Sequence, residues 1–388
     1  MVCNLRRGGF KTAGSHFCGL APGSLPVAML CLVAYPVSRF SEQEGMKPFE
    51  KEEFNIDFKW RDLVKRNFGI ASLLIAVLLV ACQPDSAPVT RPEKPVRLMS
   101  PITGTPVEKE EPKPVIMAMI NNHPAARPQS GLQLADVVVE ILAEGEITRF
   151  AAFYYNRLNG VIGPVRSVRD YYLDLADGTG AVVAHAGGSP SALNRIREEK
   201  KPAIDGVHQD EKHFFRVDFR KPPHNLYARL EELSRVAKQR DYPDYSGKPA
   251  YQFSGEAVTG GGKAAGKVRL IYHKLYEAGY QYDPAKQQYV RYTEGEMQTD
   301  RETGEPVTMQ NVLVIFAKHK VLDYVGHRAV DITGQGKGYL LQQGKAVPVE
   351  WKYRDGWIVP YRDGKECTLL PGKTWINVLP ETGEVLLQ

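Results

Sequence analysis

Between Gln83 and Pro114 the chain carries eight prolines in 32 residues, within runs such as "RPEKP" and "EKEEPKP". Proline lacks a backbone N–H and holds φ near −65°, so a segment this rich in it extends as a semi-rigid polyproline spacer and joins neither a helix nor a central strand. A packed core must therefore be built from the residues on either side of it. Within the spacer only "SPITGTPV" (100–107) is suited to dock on a folded body. The 388-residue chain is 43% hydrophobic and 24% charged, which is ordinary globular composition and enough for two cores.

Directly before the spacer stands "VKRNFGIASLLIAVLLVAC" (64–82). Lys65 and Arg66 precede 14 uncharged residues, Phe68 to Ala81, a run short of the roughly 20 apolar residues that a membrane-spanning helix needs. A basic pair, a short apolar run and small residues before a cysteine form the pattern of an export signal, and Leu79-Val80-Ala81-Cys82 resembles the lipobox of bacterial lipoproteins. The expectation is a signal peptide over 64–81 and lipid on Cys82. The mature protein would then be exported and anchored to the outer face of the cytoplasmic membrane. Residues 1–63 read as an over-extended start, with Val64 as the true initiator, or as a cytoplasmic extension. Cys3, Cys18 and Cys31 fall in that region and Cys367 stands alone in the body, so neither an internal disulfide nor a Cys/His metal site is expected.

The formal charge of +5 comes from 50 Lys and Arg against 45 Asp and Glu. Residues 1–82 hold 10 and 7 of these, leaving 40 and 38 in the rest. A near-neutral body lacks the footprint of a nucleic-acid binder, and no nucleic-acid partner is expected.

The pattern changes along the body. From 115 to 245, "VIMAMI", "DVVVEIL", "TRFAAFYYN" and "AVVAHAGGSPSALNRIREE" alternate strand and helix signals, predicting an α/β domain with a mixed sheet and flanking helices. "TRFAAFYYN" and "GVIGPVRS", joined by "RLNG", read as a hairpin. From 246 to 388, short aromatic and β-branched runs alternate with Gly or Asp-Gly turns, predicting a mainly β domain. The lipid anchor and tether occupy 82–114.

Three stretches could carry chemistry. "VIGPVRSVRDYY" (161–172) sets Arg166, Arg169 and Asp170 after a Gly-Pro turn, and the hairpin should return them towards Glu144, Glu146 and Arg149. Paired guanidiniums suit phosphate or carboxylate. The alternative is that they pair with Glu140, Glu144, Asp170 and Asp174 and hold strands together. "VVAHAGGSPSAL" (182–193) puts His185 at a strand end, then Gly187 and Gly188, then Ser189 or Ser191 as the cap of a helix, an arrangement that can seat an anion at Ser189. "INNHP" leaves a strand with Asn121, Asn122 and His123 on a loop, where open α/β sheets place ligands or where Asn caps the turn. His224-Asn225 of "PHNLY" reads as a cap for the last helix.

Taken together, "INNHPAARPQSGLQLADVVVEILAEGEITRF", "IGPVRSVRDYYLDLA", "HAGGSP", "PHNLY" and "PGKTWINVLP" resemble the YerB-like family of bacterial lipoproteins. Those proteins carry a domain of unknown function followed by its own C-terminal domain. The resemblance covers nearly all of residues 100–388. It implies a surface lipoprotein with two abutting domains and supplies no catalytic residues. A second resemblance is to the LytR-CpsA-Psr phosphotransferases, which hold a polyprenyl pyrophosphate with arginines and a metal with an aspartate. Arg169-Asp170 match that pair and Arg166 adds an anion contact, but "EITRF" stands where that family has Arg-Ser-Asp-Thr, so a second acidic metal ligand is missing.

The expected function is capture of an anionic or glycan envelope ligand through Arg149, Arg166, Arg169, Asp170, His185, Gly187, Gly188 and Ser189, with Asn121, Asn122 and His123 on the adjoining loop. No cofactor is expected. One alternative is a phosphotransferase or hydrolase acting on a cell-wall precursor, with a divalent cation on Asp170. The other is a non-catalytic adaptor for another envelope protein.

Overall fold

The computed structural model describes residues 98–109 and 112–388. The predicted signal, the lipidation residue Cys82 and residues 1–63 lie outside the described residues. Among those described, no helix is long and apolar enough to cross a membrane.

The first half contributes β1 (Ile116–Asn121), β2 (Val137–Leu142), β3 (Thr148–Tyr154), β4 (Val182–His185) and β5 (Ala203–Asp205). It also contributes helices α1 (Asp170–Thr179), α2 (Pro190–Glu198) and α3 (Leu230–Gln239). Of the two serines expected to cap α2, Ser189 does so through its hydroxyl, with Pro190 at the first helical position, where its missing N–H costs nothing. The second half adds β6 (Lys267–His273), β7 (Tyr276–Asp283), β8 (Gln288–Thr293), β9 (Asn311–Ala317), β10 (Gln335–Gln342), β11 (Lys345–Arg354), β12 (Trp357–Arg362), β13 (Thr374–Pro380) and β14 (Glu384–Leu387). The chain is thus a mixed α/β region followed by a region of mostly antiparallel strands.

One sheet runs through both halves in the order β12-β11-β10-β9-β13-β2-β3-β1-β4-β5, with short strands at its edge. The halves join where β13 pairs parallel with β2, Val137 opposite Thr374 through Ile141 opposite Val378. Strands β1, β2 and β3 are buried along their whole length, because both faces are covered. In β1 the side chains alternate between two cores, Ile116, Ala118 and Ile120 on one face and Met117 and Met119 on the other, as the two-residue strand period requires. Helix α1 packs on the Met117 face, while α3 and a second sheet cover the other. That second sheet, β8-β7-β6-β14 with two short strands, is antiparallel, and β6 alternates buried and exposed positions because only one side meets the core.

Two local expectations fail. The strand at Val161–Ile162 does not form a hairpin with β3; it pairs with Leu226–Arg229, because β3 is already flanked on both edges by β1 and β2. His224 and Asn225 do not cap α3, whose N-terminal residue Arg229 makes no side-chain cap; Asn225 instead accepts from Arg216 at 2.9 Å. "SPITGTPV" does dock. Ser100, Ile102 and Thr103 are buried, and Gly372 N–H donates to the Thr103 carbonyl.

Between the two sheets lies an ion pair with no solvent access. Glu140 on β2 and Arg291 on β8 meet at 2.8 Å, both 0% exposed. Glu140 also accepts from Thr148 (2.8 Å), the Tyr276 hydroxyl (2.6 Å) and the Trp375 indole (3.0 Å). Arg291 donates further to Gln298 (2.7 Å) and Tyr280 (2.8 Å) and lies 4.5 Å from the Trp375 ring centroid. Burial works against its charge, but Glu140 outweighs that and holds the guanidinium above its ordinary value. Removing one partner of such a pair strands a buried charge. Arg291→Met should therefore cost about 3–5 kcal/mol of unfolding free energy in urea titrations. A loss under about 1 kcal/mol would show that the pair does not hold the sheets together.

Candidate functional site

Strands β1 and β4 pair in parallel only over Ile116–Ala118 and Val182–Ala184. Beyond that they part, and residues 164–168 fill the gap. Asn121 N–H donates to the Pro164 carbonyl (2.9 Å) and Arg166 N–H to the Met119 carbonyl (2.8 Å), while Ala186 N–H donates to the Arg166 carbonyl (3.0 Å) and Val168 N–H to the Gly187 carbonyl (3.0 Å). A crevice at the carboxyl ends of parallel strands is where α/β sheets bind ligands. Here the inserted segment places Arg166 at that end of the sheet, and the strands beside it present Asn121 of β1 opposite Arg149 of β3.

Three guanidiniums gather there around one carboxylate. Arg169 clasps Glu144 with a two-pronged fork, Nε at 2.5 Å and Nη2 at 2.8 Å, and gives its Nη1 to the Val168 carbonyl (2.7 Å). Arg149 donates to the Ser167 carbonyl (2.6 Å) and stands 3.6 Å from Glu144. Arg166 is half-buried, and its side chain has no hydrogen-bond or ion-pair partner among the described residues; its Nε is buried and unsatisfied. Burial first, then Arg149 and Arg169, lower the Arg166 pKa, and burial with Arg169 does the same for Arg149. Burial would raise the Glu144 carboxyl, but the Arg169 fork and the charge of Arg149 hold it below its ordinary 4.5. One anion facing three cations leaves positive charge uncompensated, concentrated on Arg166.

The glycine turn does not join this cluster. His185 is buried on Gly187, donating from Nδ1 to its carbonyl at 2.9 Å, with Nε2 unpartnered. The charges acting on it are Asp205, His208 and Asp210, and burial keeps it below its ordinary pKa. It lines a separate cavity of about 570 Å³ with Asp205, His208 and Arg240. The anion seat predicted there is filled from within. Asp205 accepts from the N–H groups of Gly187 (2.9 Å) and Val207 (3.0 Å) and from His208 (2.7 Å). Gly188 only bridges to Val168. At the start of α2, Asp170 accepts from Ser191 (2.5 Å) and Ser189 (3.3 Å). No group of three or more His, Cys, Asp or Glu able to hold a metal occurs among the described residues.

The Asn loop divides as well. Asn122 is fully buried, donating to Thr148 (2.8 Å) and Tyr276 (2.7 Å), a structural bridge to the second half. Asn121 Nδ2 donates to His224 Nδ1 at 2.8 Å, and His123 stacks on His224 at 4.4 Å. His224, read from sequence as a cap, is thus beside the arginines: burial, then His123, Arg166 and Arg220, lower its pKa. Its partner Asn121 is 103 positions away, so no local signal could pair them. The acidic residues expected to neutralise the arginines are spread out: Glu140 serves Arg291, and Asp174 serves Arg195 at 2.7 Å.

Glu144 supports the cluster only while ionised. With its folded pKa below 4.5, the stabilisation is complete above that value and lost as pH falls through the lower folded value. Glu144→Gln should lower the urea midpoint at pH 7, and the deficit should shrink as the pH falls below 4.5 and Glu144 takes up its proton. A deficit that persists undiminished in acid would contradict this pairing.

Residues 102–243 match the family model described as "Protein of unknown function (DUF3048) N-terminal domain", and residues 268–376 match the one described as "Protein of unknown function (DUF3048) C-terminal domain". Over 321 residues the chain is 39% identical to the Bacillus subtilis (strain 168) protein named "Putative lipoprotein YerB", an alignment covering 80% of this chain and 94% of that protein. The crystal structure of YerB protein from Bacillus subtilis matches with a TM-score of 0.69 and 37% identity, covering 75% of this chain and 100% of that one. The chain belongs to the YerB-like family, built from the N- and C-terminal DUF3048 domains.

Proposed function

We propose that this protein is an exported lipoprotein, held by lipid on Cys82 at the outer face of the cytoplasmic membrane, whose α/β half captures a phosphate- or carboxylate-bearing ligand of the cell envelope at Arg166. The membrane anchor is supported by the signal pattern that ends at Cys82 and by the likeness to a protein named as a lipoprotein. The ligand reading is carried by one observation. Arg166 is a half-buried guanidinium without a partner among the described residues, at a sheet end where three cations share a single carboxylate. An arriving anion offsets the mutual repulsion of Arg149, Arg166 and Arg169 and satisfies the open Arg166 fork. Arg169 serves as a brace, since its donors are spent on Glu144 and Val168.

Two measurements test this reading. Calorimetric titration of the detergent-solubilised full chain with inorganic pyrophosphate should show binding that Arg166→Ala weakens about 10- to 100-fold, the size of a lost hydrogen bond to a charged group; unchanged affinity would overturn the site. Intact-mass analysis should find a mature chain beginning at a diacylated Cys82. Cys82→Ser should move the protein from the membrane to the soluble fraction, and a variant that stays membrane-bound would overturn the anchor.

A further inference from the structure

A second cationic locus adjoins the first. A cleft of about 370 Å³ is lined by Arg127, Phe219, Arg220, Lys221, His224 and Arg301, with no carboxylate among its lining residues. Three segments build it: the loop after β1, the turn before the strand at Leu226–Arg229, and the second half through Arg301. Some of these charges are spent. Arg127 pairs with Glu294 at 2.5 Å, and Arg220 clasps the carbonyls of Ala125 (2.6 Å) and Pro128 (2.5 Å), holding the walls in place. Others are open. Lys221 is exposed, and neither its ammonium nor the Arg301 guanidinium has a hydrogen-bond or ion-pair partner among the described residues. The nearby Glu302 accepts from Ser130 at 2.7 Å. Arg301 stands 3.7 Å above the ring of Phe219, whose surface is 53% exposed.

His224 belongs to both loci. It lines this cleft, bonds Asn121 at the end of β1, and responds to the charges of both Arg166 and Arg220. The open cations therefore run from Arg166 past His224 to Lys221 and Arg301, with an exposed aromatic face at the far end. A single small anion occupies one such locus and leaves the other uncompensated. A chain of regularly repeated anions meets both, and the second contact then forms at high effective concentration.

We infer that the ligand is a linear polyanion with repeating phosphate groups, one held at Arg166 and a later one at Lys221 and Arg301 beside Phe219. This rests on the reading of Arg166 given above. Two open cationic loci joined through His224 suit a chain that bears several anions.

The test compares inorganic pyrophosphate with long-chain inorganic polyphosphate, concentrations expressed per phosphate, on the detergent-solubilised full chain. Polyphosphate should bind about tenfold or more tightly. Lys221→Ser with Arg301→Ser, both exposed positions, should abolish that advantage while leaving pyrophosphate affinity and the urea midpoint unchanged. Arg166→Ala should weaken both ligands. If Arg166→Ala weakens both but the double variant keeps the polyphosphate advantage, the extended track is wrong and the Arg166 site stands. If Arg166→Ala leaves pyrophosphate binding intact, the underlying site is wrong. Binding of phosphatidylglycerol vesicles that is lost in the double variant, with no polyphosphate advantage in the unsubstituted chain, would overturn the polymer in favour of a membrane contact.

Discussion

The buried Glu140–Arg291 pair ties the architecture together. Glu140 sits in the middle of the sheet that spans both halves, and Arg291 reaches it from the second sheet. Charges taken wholly out of water are tolerated only when every donor and acceptor is met. That condition recruits Thr148, Tyr276, Tyr280, Gln298 and Trp375. These side chains come from β3, β7, β13 and the segment after β8, so the network fixes the angle and register at which the second sheet lies on the first. The nonpolar cores on either face supply the driving force, which is non-directional; the ion pair makes one arrangement acceptable.

That fixed arrangement has a consequence at the sheet end. Because β3 is held between β1 and β2, the chain after it cannot return as a hairpin and crosses instead to the gap between β1 and β4. The crossing segment satisfies its backbone on both neighbours, so its side chains project from a rigid platform. Glu144, on the turn before β3, neutralises Arg169 and part of Arg149 but does not reach Arg166. The uncompensated cation is thus a product of the topology. The same docking of the second half brings Arg301 to the cleft of Arg220 and His224.

Much of the fold was legible in advance because the relevant signals are local. The strand runs, the Ser-Pro start of α2 and the Gly-rich turns of the second half reflect two-residue and 3.6-residue periods and backbone preferences. The misread hairpin shows the limit: "TRFAAFYYN" and "GVIGPVRS" are both strands, but which strand pairs with which is set by edges already occupied. Within the candidate site, the guanidinium cluster was legible as residue types close in sequence. Its division from His185 was not, since Asp205, which claims the glycine turn, lies 18 positions beyond Gly187.

By itself the sequence determined where many of the elements form and that the arginines at 149, 166 and 169 must be accounted for locally in a near-neutral body. These follow from backbone chemistry and short-range pattern. Only the tertiary structure decided which carboxylate each guanidinium would meet: Glu144 for Arg169, Glu140 for the distant Arg291, none for Arg166. The physical reason is that an ion pair forms over a few ångströms of space, and which side chains come that close depends on the pairing of strands far apart in the chain.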